Sequence, residues 1–254
     1  MKEVDFLIVG TQKGGTTALA QFLSFHPDIC FAPIKEVHFF DYDRNYHQGQ
    51  EFYHSFFPNY NNQKSIGEAT PIYMYLSKIP PRIARYNPKM KLIVLLRNPI
   101  DRAYSHYQME LKRGWEFLPF NQAILLEPLR LLLPQNIEDE RCPRRVYSYC
   151  DRGYYSRQLK TLYQHFPEEQ VLILLQEDLE QNHTQTLQQV YDFLTVSPPP
   201  QLPQPQRVLA GKYQPLPPRL RQNLQSRFAP EIEALSKLIQ RDLSNWLTWS
   251  RTKD

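Results

Sequence analysis

The chain has 254 residues, 8 of them glycine and 22 proline, with 41% hydrophobic side chains and a net charge of +4. That is apolar surface enough for a real core, so global disorder, collagen-like repeats and glycine-linker architectures are excluded. The weak positive charge suits a site for an anionic ligand, but with no basic run interleaved with aromatics it argues against nucleic acid.

From the N-terminus, Val4–Val9 is a short aliphatic run without alternation, the pattern of a parallel strand buried on both faces. Glu3 and Asp5 stand just before and inside it, so it reads as a buried strand rather than a signal peptide. Helical patterns follow at Thr16–Phe25 and Ile72–Tyr86, with a weak strand at Ser65–Gly67 between them. Lys91–Leu96 is a second aliphatic strand, Pro99–Arg113 a helix, and 114–150 an irregular, partly helical insertion placed to wall a substrate cleft. Then come a helix at Tyr154–Phe166, a strand at Val171–Leu175 and a helix at Leu187–Leu194. A proline-rich connector over 197–218 leads to a terminal helix, Pro218–Gln240.

This alternation predicts a three-layer α/β fold, a P-loop-type central parallel sheet flanked by helices, as one domain over residues 1–254. No apolar run approaches a membrane span. Cys30, Cys142 and Cys150 form no C-x-x-C pair, which argues against a disulfide framework or a cysteine-rich zinc site. Cys142 and Cys150 are near enough in sequence to bridge, but free thiols in a reducing, cytoplasmic setting fit the odd count better. The histidines show no metal-ligand spacing, and no metal is expected.

The scarce glycines cluster at one place. Gly10-Thr11-Gln12-Lys13-Gly14-Gly15-Thr16-Thr17 joins the first strand to the first helix. Such a loop aims backbone N–H groups and a helix N-terminus at one point, the arrangement that holds a phosphate. A tight strand-to-helix turn is the plainer alternative. The spacing Gly10-x-x-x-x-Gly15 matches a nucleotide triphosphatase loop, but Thr16 stands where the lysine belongs and Lys13 lies three residues earlier. The strand that could supply a magnesium-binding aspartate ends instead in Arg97, so γ-phosphoryl transfer is poorly equipped. Arg97, at that strand's carboxyl end, and Ser105, about two helical turns on, suit a second phosphate. Asp101 and Arg102 read as structural ion-pair residues.

Two phosphate sites on one parallel sheet, with a displaced loop lysine, resemble a sulfotransferase that uses 3′-phosphoadenosine 5′-phosphosulfate (PAPS). Thr11–Thr17 is similar to that family's 5′-phosphosulfate loop, and Leu96-Arg97-Asn98-Pro99 through Ser105 to its 3′-phosphate motif. Lys35-Glu36-Val37-His38-Phe39-Phe40-Asp41 resembles the segment that carries the catalytic base in the heparan sulfate N- and O-sulfotransferases. Asn45-Tyr46-His47-x-Gly49, Phe56-Phe57-Pro58, Glu68-x-Thr70-Pro71-x-Tyr73 and Gly153-Tyr154-Tyr155 add to the likeness in the same order. Two departures touch the acceptor more than the donor: Ala69 replaces a lysine of the O-sulfotransferases, and a Lys-Gly-Arg loop is reduced to Ala210-Gly211-Lys212. The cysteine-bridged segment that precedes that loop in the animal enzymes is absent, so heparan itself is not implied.

The resemblance implies sulfuryl transfer from PAPS to a hydroxyl or amine, a carbohydrate-like acceptor being favoured, with adenosine 3′,5′-bisphosphate as product and no metal. It assigns Glu36 as general base, with His38 assisting from the same side if the segment is extended. Lys13 would neutralise the leaving group. Lys13, Gly14, Gly15, Thr16, Thr17, Arg97, Ser105, Tyr154, Gly211 and Lys212 would bind the donor. Outside the resemblance, Glu36 beside Lys35 is an ordinary surface salt-bridge residue, and Tyr154 and Tyr155 are ordinary core aromatics. A P-loop kinase of unusual loop sequence and a non-catalytic nucleotide-binding module remain the other readings.

Overall fold

The structure, a computed structural model, describes residues 2–204 and 213–248. These cluster into two compact units, 1–97 with 161–210 and 98–160 with 211–254.

The first unit holds the sheet. Strand β1 (Phe6–Gly10) leads to helix α1 (Thr16–Ser24), then the edge strand β2 (Ile29–Phe31) and two short helices, α2 (Asp43–Tyr46) and α3 (Gly49–His54). Strand β3 (Ser65–Ala69), helix α4 (Ile79–Tyr86) and strand β4 (Lys91–Leu96) follow. In the second unit α5 (Pro99–Lys112), α6 (Phe120–Arg130) and α7 (Pro143–Val146) precede α8 (Tyr155–Tyr163), which carries the chain back towards the sheet's sequence. The first unit closes with β5 (Val171–Leu175), α9 (Gln176–Gln181) and α10 (His183–Leu194), and the second with α11 (Pro218–Ile239).

All four strand pairings are parallel and the order is β2-β3-β1-β4-β5. The expected parallel sheet flanked by helices is present. Phe6 and Ile8 of β1, Ile93 and Leu95 of β4 and Leu174 of β5 share a buried cluster with Leu19, Phe22 and Leu23 of α1 and Leu187, Val190 and Tyr191 of α10. Unalternating strands read correctly as two-face-buried because β1 and nearly all of β4 are closed from solvent on both faces.

The chain leaves β1 for the far edge of the sheet and returns to the other side of β1 at β4. The carboxyl ends of β1 and β4 therefore flank the topological switch point, where open α/β sheets bind ligands. Pairing of β1 with β4 shifts between Ile8 and Gly10, an extra residue on β1 just before the glycine loop.

Two expectations need correction. The pattern Ile72–Tyr86 predicts one helix, but only Ile79–Tyr86 is helical, opening on Pro80 and Pro81. The preceding residues are held as turns because Thr70 N–H donates to Ile8 C=O and Met74 N–H to Val9 C=O, which follows β1 rather than winding. Strand β2, three residues long, carries no periodicity and was not expected. Gly67 lies within the expected strand as a packing requirement: a Cβ there would stand 2.4 Å from the Phe6 ring, so its glycine serves β1–β3 packing.

In the second unit Arg221 pairs with Asp101, and buried Arg102 donates to Tyr149 C=O, so both are structural as expected. The insertion is partly helical. Within it the buried Glu127 carboxylate accepts from Cys150 N–H and Asp151 N–H at 2.7–2.9 Å, and Glu116 pairs with Arg130 and accepts from Tyr149. Cys30, Cys142 and Cys150 are free and buried. No described helix is long and apolar enough to cross a membrane.

Candidate active site

The loop after β1 is built almost wholly from backbone. Gly14 N–H donates to Thr11 C=O at 2.8 Å, and Thr11 N–H reaches Leu95 C=O on β4 at 3.0 Å. A Cβ on Gly14 would lie 2.5 Å from Leu95 O and 2.9 Å from Thr11 O, both backbone atoms with no freedom to yield, so only glycine fits. Gly15 precedes α1 at φ 99°, the left-handed region. Helix α1 has no side-chain cap and no acidic residue in its first turn. Its first-turn amides, from Thr16 and Thr17, therefore keep their capacity for an anion.

Lys13 itself sits at φ 69°, an uncommon conformation for a side-chain-bearing residue. Its carbonyl accepts from Arg97 Nη1 at 3.1 Å. Arg97 thus does more than add charge at the end of β4: it ties the lysine-bearing turn to the neighbouring strand. Thr16 is buried, while Lys13, Thr17 and Arg97 are half-buried.

The second cluster lies on the turn ahead of α2. His38 Nδ1 is 3.0 Å from the fully buried Asp41 carboxylate, and His38 Nε2 is 3.6 Å from Glu36 Oε2. A carboxylate only accepts, so an ionised Asp41 places the imidazole proton on Nδ1 and turns Nε2 towards Glu36. Glu36 Oε1 lies 3.7 Å from Lys35 Nζ, so the ordinary salt-bridge reading is also met. The segment is not extended as supposed; His38 is at φ 54° and it is the turn that brings its ring to Glu36. Tyr42 stacks on the His38 ring at 4.7 Å, and Arg44 lies over Tyr42 at 4.6 Å.

Four consecutive amides of this turn end on two hydroxyls. Val37 N–H and His38 N–H donate to Thr70 Oγ1 at 3.1 and 3.5 Å; Phe39 N–H and Phe40 N–H donate to the Tyr73 hydroxyl at 2.9 and 3.3 Å. Asn45 Nδ2 donates to His38 C=O and Arg82 Nη1 to Phe40 C=O. Phe39 stacks on Tyr53 at 4.2 Å, and Phe40 meets Tyr73 edge-on at 5.5 Å. Behind Thr70 stands Glu68, fully buried, its Oε2 accepting from the Thr70 hydroxyl at 2.7 Å. Burial pushes the Glu68 carboxyl up to about 8, against hydrogen bonds from Thr70 and Tyr73 that favour its ion; the nearby Asp41 and Glu36 carboxyls push the same way as burial.

The structure therefore brings Lys13 and Arg97 together, and Glu36, His38 and Asp41 together, with both groups tied to β1. Ser105, buried on α5, and Tyr154, whose hydroxyl accepts from Arg227 Nε at 3.3 Å, fall in the second unit. Tyr155 is a core aromatic. Gly211 and Lys212 lie outside the described residues. Asp41, Thr70, Tyr73 and Glu68 received no role from sequence. The spacing Glu-x-Thr-x-x-Tyr was the available signal, but nothing in it says which segment the hydroxyls meet.

An uncapped helix start behind a glycine loop and a carboxylate–imidazole cluster on a separate turn are features a group-transfer site can use. A family model described as a sulfotransferase domain matches residues 3–207, and the chain belongs to the sulfotransferase family. It is 34% identical over 206 residues to the human bifunctional heparan sulfate N-deacetylase/N-sulfotransferase 2, covering 76% of this chain and 22% of that protein. It is 32% identical over 188 residues to mouse heparan sulfate glucosamine 3-O-sulfotransferase 3B1, covering 74% of this chain and 45% of that one. The chain thus spans less than half the length of these curated relatives. Among solved structures, a sulfotransferase from Alicyclobacillus acidocaldarius superposes with a TM-score of 0.82 at 28% identity, over 98% of this chain and 100% of that one. The sulfotransferase domain from the curacin biosynthetic pathway, 17% identical with a TM-score of 0.54, shares the fold.

Proposed function

We propose that this sulfotransferase transfers a sulfuryl group from PAPS to a hydroxyl or amine of a carbohydrate-like acceptor by in-line displacement. The observation that carries this reading is the uncapped start of α1 behind Gly14 and Gly15, with Lys13 in the loop and Arg97 bonded to it. A helix N-terminus, a loop that admits only glycine at position 14 and two cations at one switch point fit a phosphosulfate without a magnesium ligand. Arg97 would also serve the 3′-phosphate, with Ser105, Tyr154, Gly211 and Lys212 as further donor-binding residues.

PAPS supplies the sulfuryl group and leaves as adenosine 3′,5′-bisphosphate. Lys13 holds positive charge against the bridging oxygen as negative charge builds there. The Thr16 and Thr17 amides and hydroxyls orient the 5′-phosphate. Glu36 takes the proton from the acceptor hydroxyl or amine as it attacks. His38, oriented by Asp41, keeps Nε2 on the Glu36 side, where it can accept a hydrogen bond from the acceptor hydroxyl or amine. The likeness to enzymes named for heparan sulfate supports a sugar acceptor.

The test is a transfer assay with radiolabelled PAPS against a panel of desulfated glycosaminoglycan oligosaccharides and simple hydroxylated metabolites, with ATP and magnesium in parallel. Label should pass to a sugar hydroxyl or amine, and adenosine 3′,5′-bisphosphate should bind and inhibit. ATP turnover with no use of PAPS would establish a kinase instead. Bisphosphate binding with no transfer to any acceptor in the panel would leave a binding module.

A further inference from the structure

The Thr70 hydroxyl has one proton and is asked to accept from two amides, Val37 N–H and His38 N–H. It can do so only if its own proton is drawn to the opposite side. Glu68 Oε2, 2.7 Å away, is the acceptor that draws it. Glu68 and Thr70 are both fully closed from solvent, so no bulk water substitutes for that acceptor. The other Glu68 oxygen, Oε1, is buried without a hydrogen-bond partner, and the carboxyl forms no ion pair with a described cation within 4 Å. A buried carboxyl retained at such a desolvation cost is an expensive way merely to fill space.

We propose that Glu68 is a positioning residue for the transfer reaction: by orienting the Thr70 hydroxyl it fixes the backbone of the turn that carries Glu36 and His38. This rests on the reading of Glu36 as the base. The path is short and anchored by backbone hydrogen bonds. Thr70 N–H is bonded to Ile8 C=O and Met74 N–H to Val9 C=O, so the clamp stands on the same strand that ends in the Gly10–Gly15 loop. The base and the donor loop thereby share one rigid reference. Tyr73 repeats the device one step along, its hydroxyl accepting from Phe39 and Phe40 N–H. The carboxyl is needed as an acceptor, not as a charge, so its glutamine isostere suffices.

The experiment follows residue-resolved hydrogen exchange and turnover in Glu68→Ala, Glu68→Gln, Thr70→Val and Thr70→Ser. In Thr70→Val the Val37 and His38 amides should exchange roughly five- to ten-fold faster, the worth of one hydrogen bond, while β1 amides stay protected. Turnover in Glu68→Ala and Thr70→Val should fall on the order of 10²-fold, the cost of a displaced catalytic group, at unchanged affinity for adenosine 3′,5′-bisphosphate. Glu68→Gln and Thr70→Ser should remain within a few-fold of the parent, and Glu68→Ala/Thr70→Val should be no worse than either single change. Unchanged exchange at Val37 and His38 in Thr70→Val overturns the proposal, as does parent-like turnover in Thr70→Val, or a Glu68→Gln as impaired as Glu68→Ala. Should Glu68→Ala not fold, the Thr70 pair and Glu68→Gln decide alone. Glu36→Ala is run beside them: activity retained there defeats the base assignment, whereas the exchange results judge the clamp by themselves.

Discussion

The loop after β1 and the turn ahead of α2 solve the same problem by opposite means. Between Thr11 and Gly15 the chain is held backbone to backbone, with Thr11 N–H on Leu95 C=O and Gly14 N–H on Thr11 C=O, and glycine at 14 lets the loop pack against those two carbonyls. Between Val37 and Phe40 the backbone is held by side chains, the hydroxyls of Thr70 and Tyr73, with a buried carboxyl behind them. A backbone cradle presents amides and cannot take up or release a proton. A turn carried on side chains presents Glu36 and His38 instead, groups that can. On the proposed reading, donor binding falls to the loop held by backbone and proton transfer to the turn held by a few side-chain contacts.

The largest expected effect separates the two regions by function. Lys13→Ala and Glu36→Ala should each lower transfer by about 10²- to 10⁴-fold, since one removes preorganised charge and the other the general base. Only Lys13→Ala should also weaken adenosine 3′,5′-bisphosphate, as measured by titration calorimetry. Equal loss of affinity in both would erase the distinction between a binding loop and a chemical turn.

Gly14→Ala probes how completely the loop depends on its backbone. The new methyl would collide with Leu95 O and Thr11 O, so the loop must open. Bisphosphate affinity should fall by roughly ten-fold or more, with a loss on the order of 1–3 kcal/mol in stability from the overpacked site. Chemical denaturation and calorimetry on the same protein check both.

The smallest effect concerns the turn's support and its sign can be worked out. Glu68 titrates near 8 in the folded protein but in the ordinary carboxylate range when unfolded. Between those limits the folded state binds the extra proton, so stability falls as pH rises and levels off above about 8. Melting temperatures of the parent and Glu68→Gln measured from pH 5 to 9 should diverge in that window, the variant losing less. Parallel curves would mean that Glu68 ionises in the fold as readily as in the unfolded chain.

The parts legible in the sequence are those that depend on the chain's own local rules. Unalternating aliphatic runs identified β1, β4 and β5, a glycine cluster between strand and helix identified the cradle, and Pro99 marked the first turn of α5. Helix α4 was overextended because the apolar spacing from Ile72 to Tyr86 is helical, yet Met74 N–H is spent on Val9 C=O and Tyr73 on the facing turn. Strand β2 was missed because three residues cannot show a period. His38 was placed beside Glu36 for the wrong reason: an extended segment would have done it, but a left-handed residue does.

The sequence by itself determined the sheet's parallel character, the glycine loop ahead of α1 and the family, because buried strands and glycine loops are written in contiguous residues. Only the tertiary structure decided how the turn of Val37–Phe40 is held and that Glu68 stands behind it. Thr70 and Tyr73 stand more than thirty residues from the amides they accept, and a hydroxyl's partner is chosen by what the fold lays against it. Gly67 belongs to the same class, required by a ring that parallel pairing brings from β1.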